Sequence, residues 1–193
     1  MFTGIIQEVG TIKNIEKKAS FWRLGILSTK VYKDINLSQS VCVNGVCLTL
    51  TKKENNVLFF EVIKPTLENT NLKRLRPFCK VNLELPLKPD DRLGGHFVLG
   101  HIDCETQIKS IIKKNGFYSF EIKTPLQFKK FLIEKGCIAI EGISLTVQKV
   151  LSKSFIVNII PFTFNHTNLN TKRPGSWVNL EFDYLLKAVL KNT

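Results

Sequence analysis

The stretch VNGVCLTL, residues 43–50, has a near copy at residues 140–147, where the chain reads IEGISLTV. In the first copy Val46, Leu48 and Leu50 alternate with Cys47 and Thr49. In the second Ile143, Leu145 and Val147 alternate with Ser144 and Thr146. Alternation with a period of two is the pattern of a strand that turns one face inward and the other outward. Cys47 and Ser144 therefore hold the same place, out of phase with the apolar residues and on the face of a threonine. Gly45 and Gly142 precede the alternation and mark a bulge or a close backbone approach.

The likeness spreads outward from there. FEVIKPTLENTNL (60–72) aligns without a gap to VNIIPFTFNHTNL (157–169), and KVNLELPL (80–87) to WVNLEFDY (177–184), all three pairs displaced by 97 residues. FTGII (2–6) resembles VLGHI (98–102) one residue out of that register. A unit of roughly ninety residues is too long for a solenoid repeat and is the size of a small domain. The expected division is a first barrel over 1–89, a second over 90–182 and a terminal helix over 183–193. LKPDDRLGG (87–95), rich in turn formers, serves as the linker.

Within each unit the segments are short and β-like. GTIKNIE, FWRLGIL, SVCVNGVCLTLTKK, NVLFFEVI and CKVNLEL in the first are matched by ETQIKSIIKK, GFYSFEIK, CIAIEGISLTVQKV, SFIVNII and SWVNLEF in the second. About six strands per unit predict an all-β protein of two small closed barrels, since closure leaves no exposed edge. One brief helix is expected in TPLQFKKFLIEKG, with Thr124 as its cap, Pro125 in its first turn and Gly136 at its end. DYLLKAVLKN at the C-terminus reads as a short amphipathic helix that docks on another surface.

Composition narrows the function classes. The formal charge is +12, but lysine outnumbers arginine 23 to 5 and each half of the chain carries +6. That even spread lacks the concentrated basic patch of a nucleic-acid footprint. Five cysteines, none in a C-x-x-C pair, argue against a disulfide framework and a structural zinc site. No segment is apolar over a membrane's width, MFTGIIQEVG lacks the basic flank of a secretory signal, and the expected location is the cytoplasm.

Several side chains could carry chemistry. Cys47 is either a small apolar filler or a reactive thiol facing a pocket. GGHFVLGHID (94–103) holds His96 and His101, five residues apart, a poor spacing for a shared metal. The threonines of PTLENTNL and PFTFNHTNL suit turns and caps as well as ligand contacts. A polar cassette written twice points to one ligand bound in two copies, or to a reaction between two like molecules.

MFTGIIQ, NGVCLT, GGHFVLGHID, EGISLT and the paired TNL segments together resemble the alpha-chain type of riboflavin synthase across the whole chain. That resemblance implies tandem six-stranded Greek-key barrels with a C-terminal helix, assembled as a homotrimer. It implies a transferase of riboflavin biosynthesis that moves a four-carbon unit between two molecules of 6,7-dimethyl-8-ribityllumazine. The products are riboflavin and 5-amino-6-(D-ribitylamino)uracil, formed without a metal or organic cofactor. The related lumazine proteins share the fold and bind a lumazine or flavin without turnover.

Carried over by position, the family's first-barrel site falls on Gly4, Ile5 and Ile6, on Cys47, Leu48 and Thr49, and on Glu61, Val62, Ile63, Lys64, Pro65 and Thr66. Its second-barrel site falls on Gly100, His101 and Ile102, on Lys135, on Ser144, Leu145 and Thr146, and on Asn158, Ile159, Ile160, Pro161, Phe162 and Thr163. His101 is the implied acid/base and Cys47 the implied nucleophile or proton carrier, with Ser40 and Asp183 at further positions that the family implicates. Pro65 and Phe162 stand where the family usually has a polar residue.

Overall fold

The alternating stretch at 43–50 does not run as one strand. Val43 pairs with Val46, and the two residues between them turn the chain back. Asn44 (φ 49°) and Gly45 (φ 84°) both adopt the left-handed conformation that a two-residue hairpin needs. Glu141 and Gly142 repeat the turn between Ile140 and Ile143. The two turns also abut. A Cβ on Gly45 would lie 2.8 Å from the Gly142 nitrogen, so this is a close approach between backbones and not a bulge.

The computed structural model describes residues 1–191 of the chain and carries twelve strands among them. The first barrel holds β1 (Glu8–Lys17), β2 (Phe21–Leu27), β3 (Ser40–Val43), β4 (Val46–Glu54), β5 (Val57–Ile63) and β6 (Lys80–Glu84). They close in the antiparallel order β1-β2-β5-β4-β3-β6. The second holds β7 (Cys104–Lys114), β8 (Phe117–Lys123), β9 (Cys137–Ile140), β10 (Ile143–Val150), β11 (Ser154–Ile159) and β12 (Trp177–Phe182), closed in the equivalent order. Register shifts recur at matching places, Ile12/Asn14 with Ile108/Ser110 and Leu50/Lys52 with Val147/Lys149. Such bulges sharpen the bend that closure of a small sheet requires.

Parity works as the sequence predicts. Leu48, Leu50, Phe60 and Val62 fill the first barrel with Leu24, Ile26 and Leu83. Leu145, Val147, Phe155 and Val157 fill the second with Phe120, Ile122 and Leu180. Each fully buried side chain of this size contributes about 1.5–3 kcal/mol over its exposed state.

Helices are few and short: α1 (Lys30–Asp34), α2 (Lys64–Asn69), α3 (Pro161–Asn165) and α4 (Tyr184–Lys191). The helix expected in 124–136 is instead a 3-10 segment over Leu126–Phe131 with Pro125, in extended conformation, as its cap. The Thr124 hydroxyl is buried without a hydrogen-bond partner, so the side chain read as a cap makes no cap. α4 takes the place of the predicted terminal helix, and Asn192 and Thr193 of that segment lie outside the described residues. No described helix is long and apolar enough to cross a membrane.

The barrels are joined by a buried polar lattice built from repeat-equivalent residues. Asn82 donates to the Glu141 carbonyl at 3.0 Å, and its counterpart Asn179 donates to the Asn44 carbonyl at 2.9 Å. Asn71 accepts nothing at its buried Oδ1 but gives its backbone N–H to Asn179 Oδ1, as Asn168 does to Asn82 Oδ1, each at 2.7 Å. Asn71 and Asn168 are the middle residues of the paired TNL segments. Their threonines, Thr70 and Thr167, cap the 3-10 turns that follow. Buried polar groups hydrogen-bonded across the boundary in this way fix one relative placement of the barrels.

Candidate substrate site: two hairpin faces with exchanged walls

On the outer face of each β-hairpin, small polar and sulfur-bearing side chains pair across the strands. Ser40 pairs with Thr49 and Cys42 with Cys47 in the first barrel. Cys137 pairs with Thr146 and Ala139 with Ser144 in the second. The sequence comparison saw only the change of Cys47 to Ser144. The same displacement of 97 also turns Ser40 into Cys137, so the exchange is reciprocal.

Each of these faces is covered by the segment that leads into the other barrel. The Cys47 N–H donates to the Gly100 carbonyl at 2.9 Å, and the Ser144 N–H to the Gly4 carbonyl at 2.8 Å. A Cβ on Gly100 would fall 2.6 Å from Cys47 Cβ, and one on Gly4 at 2.6 Å from Ser144 Cβ. Both glycines have φ near +80°, so space and conformation alike exclude a side chain there. The two crossing segments touch each other through Phe2 and Val98, whose backbones exchange bonds at 2.7 and 3.1 Å. Phe2, Val98, Cys42 and Ala139 form the small apolar cluster between the barrels.

This corrects the grouping carried over from the family. Gly4, Ile5 and Ile6 do not stand with Cys47, and Gly100, His101 and Ile102 do not stand with Ser144. The triplets are exchanged: Ile102 packs on the first barrel's core and Ile6 on the second's. The regrouped residues enclose a cavity of about 270 Å³ lined by Val46, Cys47, Pro65, Thr66, Asn69, Thr70, Gly100, His101 and Ile102. A larger cavity, about 370 Å³, between Arg74, Phe78, Lys172 and Trp177 contains none of the expected site residues.

The remaining expected residues divide by side-chain direction. Leu48, Val62, Leu145 and Ile159 point into the barrels and can offer a ligand only backbone groups. Thr49, Thr146, Glu61 and Asn158 face outward, with Glu61 held at 2.7 Å by Arg23. Ile63, Lys64 and Pro65 begin α2; Ile160, Pro161, Phe162 and Thr163 begin α3. Pro65 falls where a helix start leaves its N–H groups unpaired, so the missing donor breaks no bond. Phe162 is exposed and stacks on His166, ring centroids 4.1 Å apart. Lys135 is exposed with φ 68°, its backbone N–H on Val147 and its ammonium toward Gln148.

His96, weighed in the sequence only for a metal shared with His101, was not among the expected site residues. It is buried, and its Nδ1 lies 2.7 Å from Ser144 Oγ. Burial pulls the imidazole below its ordinary pKa, partly opposed by the charge of Asp183. A neutral ring is therefore favoured, able to accept a proton from the serine hydroxyl. Asp183 also raises the Cys137 thiol, after burial as the first cause, so this aspartate belongs to the Ser144 side. His101, by contrast, is exposed at the mouth of the Cys47 cavity. Cys42, behind Cys47, is fully buried with a pKa pushed well up by desolvation, which keeps it a neutral thiol. Among the described residues, no His, Cys, Asp or Glu side chains group as a metal-ligand set.

The sequence matches the lumazine binding domain model twice, over residues 3–86 and 99–183. It is 44% identical to the riboflavin synthase of Actinobacillus pleuropneumoniae over 98% of this chain and 88% of that one. To the riboflavin synthase of Bacillus subtilis (strain 168) it is 37% identical over 99% and 89%. The chain belongs to the riboflavin synthase family. Among solved structures, LumP complexed with riboflavin superposes with a TM-score of 0.89 at 27% identity, covering 94% of this chain and 99% of that one. LumP complexed with 6,7-dimethyl-8-(1'-D-ribityl) lumazine gives 0.86 at the same identity and coverage. The family model's second match begins at Leu99, within the crossing segment, so the wall of the Cys47 cavity belongs to the second lumazine-binding unit.

Proposed function

We propose that this chain is a riboflavin synthase, converting two molecules of 6,7-dimethyl-8-ribityllumazine into riboflavin and 5-amino-6-(D-ribitylamino)uracil by transfer of a four-carbon unit. The observation that carries the reading is the doubled cassette. Two like hairpin faces, each walled by the partner barrel's leading segment, suit two like heterocycles. Identity of 37–44% to riboflavin synthases over nearly the whole chain supports it.

Holding both reactants replaces an encounter in dilute solution, an effect worth up to about 7–11 kcal/mol of barrier when alignment is good. Backbone groups and the hydroxyls of Thr49, Thr66, Thr146 and Thr163 suit a ribityl chain and a pteridine edge. Cys47 and His101 serve as nucleophile or proton carrier and as acid/base on one side; Ser144, His96 and Asp183 face the other lumazine. Ser40 and Lys135 complete the polar rims. The enzyme works as a cytoplasmic homotrimer, its exposed Leu185 and Val189 on α4 offering apolar surface for subunit packing.

The test is direct. Mixed with ribityllumazine, the protein forms riboflavin and the ribitylaminouracil in equal amounts, and exhaustive chelation with EDTA leaves the rate unchanged. The LumP likeness favours one alternative, a lumazine carrier without turnover; tight binding with no riboflavin formed would establish it and reject the synthase.

A further inference from the structure

The last strand of each barrel carries a buried glutamate at the matching place, Glu84 in β6 and Glu181 in β12, 97 residues apart. Neither belongs to the expected site. Glu181 accepts the N–H of Leu99 at 2.7 Å and the N–H of Gly100 at 2.9 Å. Gly100 then takes the Cys47 N–H on its carbonyl at 2.9 Å. Two hydrogen bonds in series, through Gly100, thus link the second barrel's closing strand to the backbone of Cys47, and the Leu99 bond braces the first of them. Glu84 makes the mirror-image clamp, accepting the N–H groups of Thr3 and Gly4 at 2.7 and 3.0 Å, while Gly4 holds Ser144.

We propose that Glu181 is a positioning residue that acts across the barrel boundary, fixing the Leu99–Gly100 wall against Cys47 and so setting the shape of the first barrel's pocket. Glu84 does the same for the Ser144 pocket. The proposal rests on the synthase reading only for its effect on turnover; the pocket geometry is independent of it. A carboxylate is the group required because it alone offers two charge-assisted acceptors to two converging N–H donors. A glutamine would satisfy one donor and set its NH2 against the other.

The surroundings make the clamp sensitive to pH. Burial pushes the Glu181 carboxyl up to about 7 despite its two backbone bonds. The charged and titratable groups around it are Lys187 on α4, which favours its ionisation, Asp103 ahead of β7, which opposes it, and Cys42 on β3, held neutral. Asp103 is itself bound by Lys187 at 2.8 Å and by the Phe182 N–H at 2.8 Å, which pins the far end of the same wall. Glu84 has a further donor, the Thr3 hydroxyl at 2.7 Å, where the second barrel has Leu99. The Glu181 clamp therefore loosens first as pH falls.

The experiment compares the full-length protein with Glu181→Gln and Glu84→Gln, following iodoacetamide alkylation of Cys47 by peptide mass mapping alongside riboflavin formation from ribityllumazine. At pH 8, Glu181→Gln alkylates about tenfold faster at Cys47 than wild type, the loss of one charge-assisted bond. At pH 6 the ratio falls toward one, because wild type is then protonated at the same carboxyl. Glu84→Gln leaves Cys47 at the wild-type rate. Turnover falls about tenfold in Glu181→Gln, and its rise through pH 7 disappears. A Cys47 rate unchanged by Glu181→Gln, or changed equally by Glu84→Gln, would overturn the proposal. Should Glu181→Gln not fold, the wild-type ratio of Cys47 to Cys79 alkylation between pH 6 and 8 decides: a fall in that ratio with rising pH supports the clamp, a constant ratio rejects it. Absence of turnover in wild type would remove the synthase reading and leave the alkylation result standing.

Discussion

Asn44 and Glu141 occupy the same turn of their barrels, and the contrast between them shows where the repeat has been free to diverge. Asn44 is neutral, and its carbonyl and Oδ1 are used by Asn179, Asn82 and Asn168. Glu141 is fully buried and accepts from Asn179, Asn168 and Asn71. Its counter-ion is Lys172 at 2.6 Å, where the first barrel has Leu75. One barrel thus completes the junction with an amide and a leucine, the other with an ion pair. The backbone pattern survives both solutions, so the same hydrogen-bond geometry can be completed with an ion pair or without one. A glutamate at φ 53° is also an uncommon choice, kept in place by four partners.

The largest effect should come from breaking that ion pair on one side. Lys172→Met leaves the Glu141 carboxylate buried without its cation, a loss of about 3–5 kcal/mol in urea unfolding. Glu141→Asn combined with Lys172→Leu copies the first barrel and should lose less than half as much. Equal losses in the two proteins would mean that the lattice tolerates no exchange between barrels.

Next comes the pH dependence of stability from the paired clamps. The Glu181 carboxyl is raised from 4.5 to about 7 in the folded protein. Its contribution is fully present below pH 4.5 and is lost as pH rises through 7, a difference of about 3 kcal/mol. Glu84 is raised in the same sense by burial. Thermal unfolding of Glu181→Gln should therefore show a shallower decline between pH 5 and 8 than wild type. An identical slope would show that Glu181 is not the group responsible.

The two hairpin faces offer the smaller contrast. Cys47→Ser should slow riboflavin formation about a hundredfold while ribityllumazine still binds, the size of effect expected for a lost nucleophile or proton carrier. Ser144→Ala, which removes the hydroxyl facing His96, should cost about tenfold. Equal effects would argue that the two sides share one role.

The repeat made much of this fold legible. Parity within VCLTL and ISLTV is local, and Val46, Leu48 and Leu50, like Ile143, Leu145 and Val147, all turn inward, whereas the hairpin turn resets the phase so that Val43 and Ile140 turn inward too. The exchange of the leading segments was not legible, because it depends on contacts between residues such as Cys47 and Gly100 that no local pattern links. Its trace in the sequence is small: FTGII and VLGHI are displaced by 96 residues where every other matched pair is displaced by 97. Glu84 and Glu181 carried a plainer signal, an acid repeated at the same place in the last strand of each barrel. Thr124 and Pro125 misled, since they fit a helix start by type while the buried Thr124 hydroxyl caps nothing. His96 gave no sign of its partner, as its position relative to Ser144 is set by how the linker passes Thr3, whose carbonyl takes the His96 N–H at 3.1 Å.

Equilibrium titration of the intact protein with ribityllumazine tests the central claim most directly, by counting seats. Two like hairpin faces with exchanged walls predict two lumazines bound per chain at saturation, with Gly100→Val abolishing the Cys47 seat alone and Gly4→Val the Ser144 seat alone. A single lumazine per chain, or loss of both seats with either substitution, would contradict the account.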